Sequence, residues 1–177
     1  MTELQLGRAE ILELLGEVDT RMARRVQEPF PLVIVGGSYL ALEDLRDSTR
    51  DVDTASRADD TLRQAIAEVA KARDLPLDWM NDRAFAFRPL GMRDDECDVL
   101  LEGEGLRILL PPANWIFLMK LYAARVSDHE DMIALWPSCS FGSSAHAAEA
   151  FRGAYPHAPD DPGLAEYIER IASAAGE

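Results

Sequence analysis

Two short clusters and one lone charge are the residues of this chain best suited to chemistry. Gly36-Gly37-Ser38 follows the apolar run Leu32-Val33-Ile34-Val35. Glycines at such a point let the backbone adopt positive φ and approach a ligand closely. A helix opening there directs amide N–H groups outward, where they favour a phosphate, and Ser38 adds a hydroxyl donor. Asp51-Val52-Asp53 comes next, with twelve residues between Ser38 and Asp51. In a strand, residues two apart share a face and lie about 6–7 Å apart, so both carboxylates converge while Val52 points into the core. Paired carboxylates bind hard divalent cations through oxygen. They are also the groups that hold two metal ions about 4 Å apart, on the attacking and leaving oxygens of a phosphoryl transfer. Each motif alone is common turn or surface structure. Together, one short helix apart, they place a phosphate chain and its metal ions on adjacent strand ends.

The third candidate is Lys120. Every other position from Trp115 to Ala124 is apolar or aromatic. A buried ammonium without a partner is very unfavourable, so Lys120 must reach water along its stem or meet an anion. Arg125, Asp128, Glu130 and Asp131 follow within about three helical turns.

These residues carry a resemblance. Val35-Gly36-Gly37-Ser38 and Asp51-Val52-Asp53, with Thr49-Arg50 in front, resemble the signature of the DNA polymerase β-like nucleotidyltransferase superfamily. Met119-Lys120-Leu121-Tyr122-Ala123-Ala124-Arg125, followed by Glu130-Asp131-Met132-Ile133, resembles a block of its AbiEii-like branch, which includes toxins of bacterial toxin–antitoxin pairs. The resemblance spans about residues 30–135. It implies a transferase using Mg2+ or Mn2+ and an NTP. Asp51 and Asp53 would hold the metal, and Gly36, Gly37 and Ser38 would cradle the phosphates. Lys120 would offset phosphate charge, and Asp131 would belong to the active site, with Asp128 close by. Many superfamily members carry a third acid on a later strand, for which Asp98 is the candidate.

The elements that must position these groups are legible from periodicity. Residues 4–27 have apolar positions at helical steps, and Pro29 and Pro31 stop that helix. Leu32–Val35 reads as a strand buried on both faces. Residues 39–45 read as a short helix, 51–55 as a strand and 58–73 as an amphipathic helix. Leu75–Met80 suggests a short strand broken by Pro76, and Ala84-Phe85-Ala86-Phe87 an edge strand or an aromatic-anchored loop. Strands at 97–101 and 106–110 flank Glu102-Gly103-Glu104-Gly105, a hairpin signal. Helices follow at about 113–125, 128–136, 145–154 and 164–174. This order predicts an α+β fold: a small mixed sheet forming a nucleotidyltransferase core with flanking helices, then a C-terminal helical cluster. The expected division is a core at 1–110, including the N-terminal helix, and a helical region at 111–177 packed on it.

Composition bounds the rest. The chain has 177 residues, 47% hydrophobic and 28% charged, with a net charge of −14. That charge repels nucleic acid at long range. No apolar run is long enough to span a bilayer and no signal peptide is visible, so a cytoplasmic protein is expected. Cys97 and Cys139 read as two reduced thiols, and His129, His146 and His157 as scattered surface histidines. The leading expectation is transfer of an NMP from an NTP to a hydroxyl of a tRNA 3′ end, a protein or a small molecule. A small helix-turn-helix antitoxin is the implied partner. The alternatives are a non-catalytic protein of the same fold that acts by binding a partner, and an aminoglycoside-type small-molecule nucleotidyltransferase. Asp94, Asp95 and Glu96 would suit a cationic acceptor of that last kind.

Overall fold

In the computed structural model, residues 4–176 are described, and they form two compact units. The first comprises residues 1–87 and 94–111, and the second residues 88–93 and 112–177.

The first unit is a mixed five-stranded sheet with helices. Its chain order is α1 (Arg8–Ala23), β1 (Phe30–Val35), α2 (Gly36–Leu42), β2 (Val52–Thr54), α3 (Asp60–Arg73), β3 (Met80–Asn81), β4 (Asp98–Glu102) and β5 (Leu106–Leu110). The strands lie in the order β3-β2-β1-β5-β4. The apolar strand β1 takes the centre, and Leu32 to Val35 are fully buried. It runs parallel to β5, with Val33 opposite Leu109, and antiparallel to β2, with Val35 opposite Asp53. Next to β2 lies β3, which puts Asn81 opposite Asp53.

Although β2 has only three residues, it is fastened by more than its ladder. The Thr54 hydroxyl donates to the Val33 carbonyl at 2.7 Å, and the Val33 amide donates to Ser56 Oγ at 2.9 Å. Side-chain hydroxyls thus extend the pairing where the chain leaves the sheet. The preceding loop is held as well. Leu6 and Thr49 exchange backbone hydrogen bonds of 2.7 and 2.9 Å, which anchor the approach to Asp51.

The N-terminal helix is shorter than its periodicity suggests. Ile11, Leu14, Leu15, Val18 and Met22 are its buried stripe, while Leu6 leaves the helix to make its bridge to Thr49. The last turn of α3 is tied to α1 by Arg73, which bridges Glu13 and Glu17. At the start of α3, the Asp59 carboxylate accepts from the Leu62 amide at 2.8 Å and caps the helix. Two other readings change. Pro76 and its neighbours form a turn, so only Met80 and Asn81 pair as a strand; Arg83–Phe87 is a 3-10 helix.

The β4–β5 hairpin is closed by α1. Asp19 Oδ1 accepts from the amides of Gly105 and Leu106 at 2.9 and 2.7 Å. A Cβ at Gly105 would strike Asp19, Met22 and Ala23, so the turn needs glycine for close approach to the helix.

The second unit is helical: α4 (Ala113–Ala123), α5 (Asp128–Leu135), α6 (Ser144–Ala154) and α7 (Leu164–Ala175). Its core contains Phe117, stacked obliquely against Trp136 and Phe141 at centroid distances of 5.3 and 5.7 Å. Tyr122 lies over Tyr155 at 4.1 Å. Among the described residues, no helix is long and apolar enough to cross a membrane.

Replacing Asp19 with alanine leaves two backbone donors without their carboxylate. We expect a loss of about 1–3 kcal/mol of unfolding free energy, read by urea denaturation. Gly105→Ala should cost more, because it displaces backbone rather than a side-chain tip.

Candidate active site

The glycine turn meets one member of the expected acid pair, Asp53. At the end of β1 the chain turns directly into α2, with Gly36 at φ 65°. A Cβ built on Gly36 would lie 2.6 Å from Asp53 Oδ2. Glycine is required twice over at this point, once for the left-handed backbone and once to leave room for the carboxylate. The same test on Gly37 brings a Cβ within 2.6 Å of Thr49 Oγ1. The two glycines therefore open a cradle whose wall is the segment from Thr49 to Asp53. No side chain caps the N-terminus of α2.

Ser38 differs from the sequence expectation. Its side chain is fully buried. Its hydroxyl donates to the Val35 carbonyl at 2.7 Å and accepts from the Asp53 amide at 3.2 Å. It is therefore not exposed to a phosphate. Both its donor and an acceptor site are used to lock β2 against the turn, and Ser38 positions Asp53.

Asp51 stands just outside β2, two residues from Asp53. Its side chain is 32% exposed, and Arg83 Nη2 lies 3.5 Å from its Oδ2. The Asn81 amide nitrogen donates to the same oxygen at 3.4 Å. Sequence reasoning passed over both Asn81 and Arg83. Asn81 falls in a segment whose pairing Pro76 obscures, and an arginine in a loop carries no spacing signal.

Asp98 does not join the pair. It opens β4, the far edge strand, with β5 and β1 between it and β2. Three inter-strand steps amount to about 14 Å, beyond the reach of one shared cation. Among the described residues, no group of three or more His, Cys, Asp or Glu side chains could hold a metal ion. The donor set available is two carboxylates. That set fits Mg2+, which keeps water and is commonly bound by one or two carboxylates together with substrate phosphates.

Lys120 is buried in the helical unit, at 7% exposure. Its ammonium lies 2.8 Å from Asp128 Oδ1 and 2.8 Å from Asp131 Oδ2. The anion that burial demands comes from the first turn of α5, and no nucleotide is needed to satisfy the charge. Asp128, the neighbour of the expected Asp131, is an equal member of this cluster. Its Oδ2 is buried with no hydrogen-bond partner.

Both cysteines are free. Burial pushes the Cys139 thiol up to about 12, so it remains protonated and unreactive at neutral pH.

Residues 10–140 match the family described as a nucleotidyltransferase of unknown function, DUF6036. The chain belongs to this nucleotidyltransferase family. The match covers the glycine turn, the acid pair and the Lys120 cluster, and ends before α6. Comparison with curated proteins and with solved structures finds no match.

Removing the Lys120 charge strands two buried carboxylates. Lys120→Met should destabilise the protein by about 3–5 kcal/mol, measured by chemical denaturation, because a buried pair broken on one side leaves uncompensated charge. Adding Asp128→Asn and Asp131→Asn to Lys120→Met should recover much of that loss.

Proposed function

We propose that this member of the family is an active, metal-dependent nucleotidyltransferase whose donor site is the cradle formed by Gly36, Gly37, Asp51 and Asp53. The observation that carries this reading is the contact between the turn and Asp53. A Cβ on Gly36 would clash with the Asp53 carboxylate. A turn that served only to change chain direction has no need to leave space for an acid. An acid pair that only faced solvent has no need of a glycine beside it.

In this reading, Asp51 and Asp53 hold the cation that accompanies an NTP. The amides of Gly36 and Gly37 face its phosphates, and Ser38 keeps Asp53 in place. A divalent ion held by Asp51 and Asp53 would supply positive charge against the phosphates. An acceptor hydroxyl oxygen forms a bond to the α-phosphorus, and the bond from that phosphorus to the bridging oxygen of the β-phosphate breaks. The hydroxyl proton passes to a carboxylate of the acid pair or to water, and pyrophosphate leaves. Lys120, with Asp128 and Asp131, serves to hold α4 and α5 together. The net charge of −14 favours a protein or small-molecule hydroxyl over an RNA end as acceptor.

The Met119–Arg125 block supports placement among AbiEii-like toxins, which would make growth arrest and release by a small helix-turn-helix partner the cellular role. Induced expression in a bacterial host should slow growth, and Asp51→Ala with Asp53→Ala should abolish the effect.

The direct test supplies each of the four NTPs with Mg2+ and with pools of protein, RNA and small-molecule acceptors. Label at the α-phosphorus should enter one acceptor, while label at the γ-phosphorus should not. Replacing Asp51 or Asp53 with asparagine should lower incorporation by roughly two or more orders of magnitude, as expected for groups that stabilise transition-state charge. Absence of incorporation with every NTP and every pool would overturn the catalytic reading in favour of a protein that acts by binding.

A further inference from the structure

The acid pair has a cationic neighbour. Arg83 lies at the start of the 3-10 helix that follows β3, and its side chain is 65% exposed. Such a side chain is ordinarily free to sample solvent, but here three side-chain contacts direct it, and the backbone amide shares one of their partners. Its Nε donates to Asn81 Oδ1 at 2.9 Å, and its backbone amide donates to the same oxygen at 3.2 Å. Its Nη2 lies 3.5 Å from Asp51 and 3.7 Å from Asp78.

Asn81 is the hinge of this arrangement. Pairing of β3 with β2 places it opposite Asp53. With two donors of Arg83 on its oxygen, its amide nitrogen is the atom left to face Asp51, and it donates to Asp51 Oδ2 at 3.4 Å. The amide orientation follows from the network, as it must for asparagine. One carboxylate oxygen, Asp51 Oδ2, thus receives an amide N–H and has a guanidinium beside it. The positive charge occupies the surroundings of a carboxylate that the proposed reaction requires for a metal ion.

We propose that Arg83 is the displaceable counter-cation of Asp51, held over it by Asn81 until a divalent cation takes its place. This rests on the reading of Asp51 and Asp53 as the metal-binding pair, and concerns what sets the affinity of that pair. A divalent ion and a guanidinium compete for the same oxygen. Asp78 offers Arg83 a second carboxylate, so the side chain has an anionic partner when it leaves Asp51. The apparent affinity for metal is then lower than two adjacent carboxylates would provide alone. Arg83 acts as a positioning and affinity-setting residue, not as a ligand.

The test is Mn2+ binding, followed by electron paramagnetic resonance of the free ion, on the 177-residue chain, without and with a non-hydrolysable NTP analogue. Wild type, Arg83→Gln, Arg83→Lys and Asp51→Asn are compared at low ionic strength. Arg83→Gln should bind Mn2+ roughly two- to fivefold more tightly than wild type, the scale of an exposed ion pair. Arg83→Lys should fall between the two, since it keeps the charge but loses the planar fork that engages Asn81 and Asp51 together. Added salt should shrink the difference between wild type and Arg83→Gln. Equal or weaker binding by Arg83→Gln, with wild-type binding lost in Asp51→Asn, would overturn the counter-cation role and leave the donor site intact. Mn2+ binding by none of the four proteins, both without and with the NTP analogue, or equal binding by Asp51→Asn and wild type, would overturn the metal-binding reading on which it rests.

Discussion

A single serine hydroxyl holds the candidate site together. Ser38 Oγ gives its proton to the Val35 carbonyl and receives the Asp53 amide hydrogen. It thereby joins the end of β1, the first turn of α2 and β2 at one buried atom. The register that puts Val35 opposite Asp53 ends at this point, because β1 turns into helix immediately afterwards. The Asp53 amide thereby has a side-chain acceptor at the last paired position of β1 and β2. With the strand pairing, the hydroxyl fixes Asp53 where its carboxylate lies beside Gly36.

The rest of the first unit supports this junction. The buried strand β1 carries the turn. Thr49, bonded to Leu6, sets the approach of the chain to Asp51, and Thr54 and Ser56 hold its departure. A three-residue strand would be weak on ladder bonds alone, and hydroxyl side chains at its exit make up the deficit. The same economy appears at the hairpin, where one Asp19 oxygen serves two amides and the facing glycines allow the helix close. Small side chains at these crossings let backbones approach, and polar ones then bond across the gap.

What was legible in the sequence follows the strength of each periodic or chemical signal. The apolar run of β1, the stripe of α3, and the Gly-rich turn between β4 and β5 are local patterns, and the fold has them within a residue or two. The meeting of Gly36 with Asp53 was legible from spacing, because one short helix can return the chain to the neighbouring strand and little else fits in twelve residues. Ser38 was misread for a physical reason. Its type suits a phosphate donor and a backbone latch equally, and only burial separates the two. Asp98 was placed by family pattern, yet strand order decides distance, and strand order is a non-local property that hydrophobic alternation does not encode. For Lys120 the sequence left open whether the ammonium reaches water or meets an anion, and in the structure it meets two carboxylates. The identity of that anion depended on how α5 packs on α4, and Asp128 proved as close as Asp131.

These outcomes divide the charged residues into two kinds of compensation. Lys120 is buried, and both of its carboxylates are buried with it, so each member depends on the others and the cluster resists exchange. Arg83 and Asp51 are partly exposed, their contact is longer, and water can replace either partner at small cost. A group intended to release its partner to a ligand needs the second kind of environment. Deep burial would make displacement too costly, and full solvation would leave nothing to direct the arginine. Asn81 supplies the direction by accepting two donors from Arg83 while its own amide faces Asp51. The Asp51 carboxylate is thereby offset yet accessible, so in the proposed site a cation arriving with a triphosphate would bind without a buried ion pair having to break.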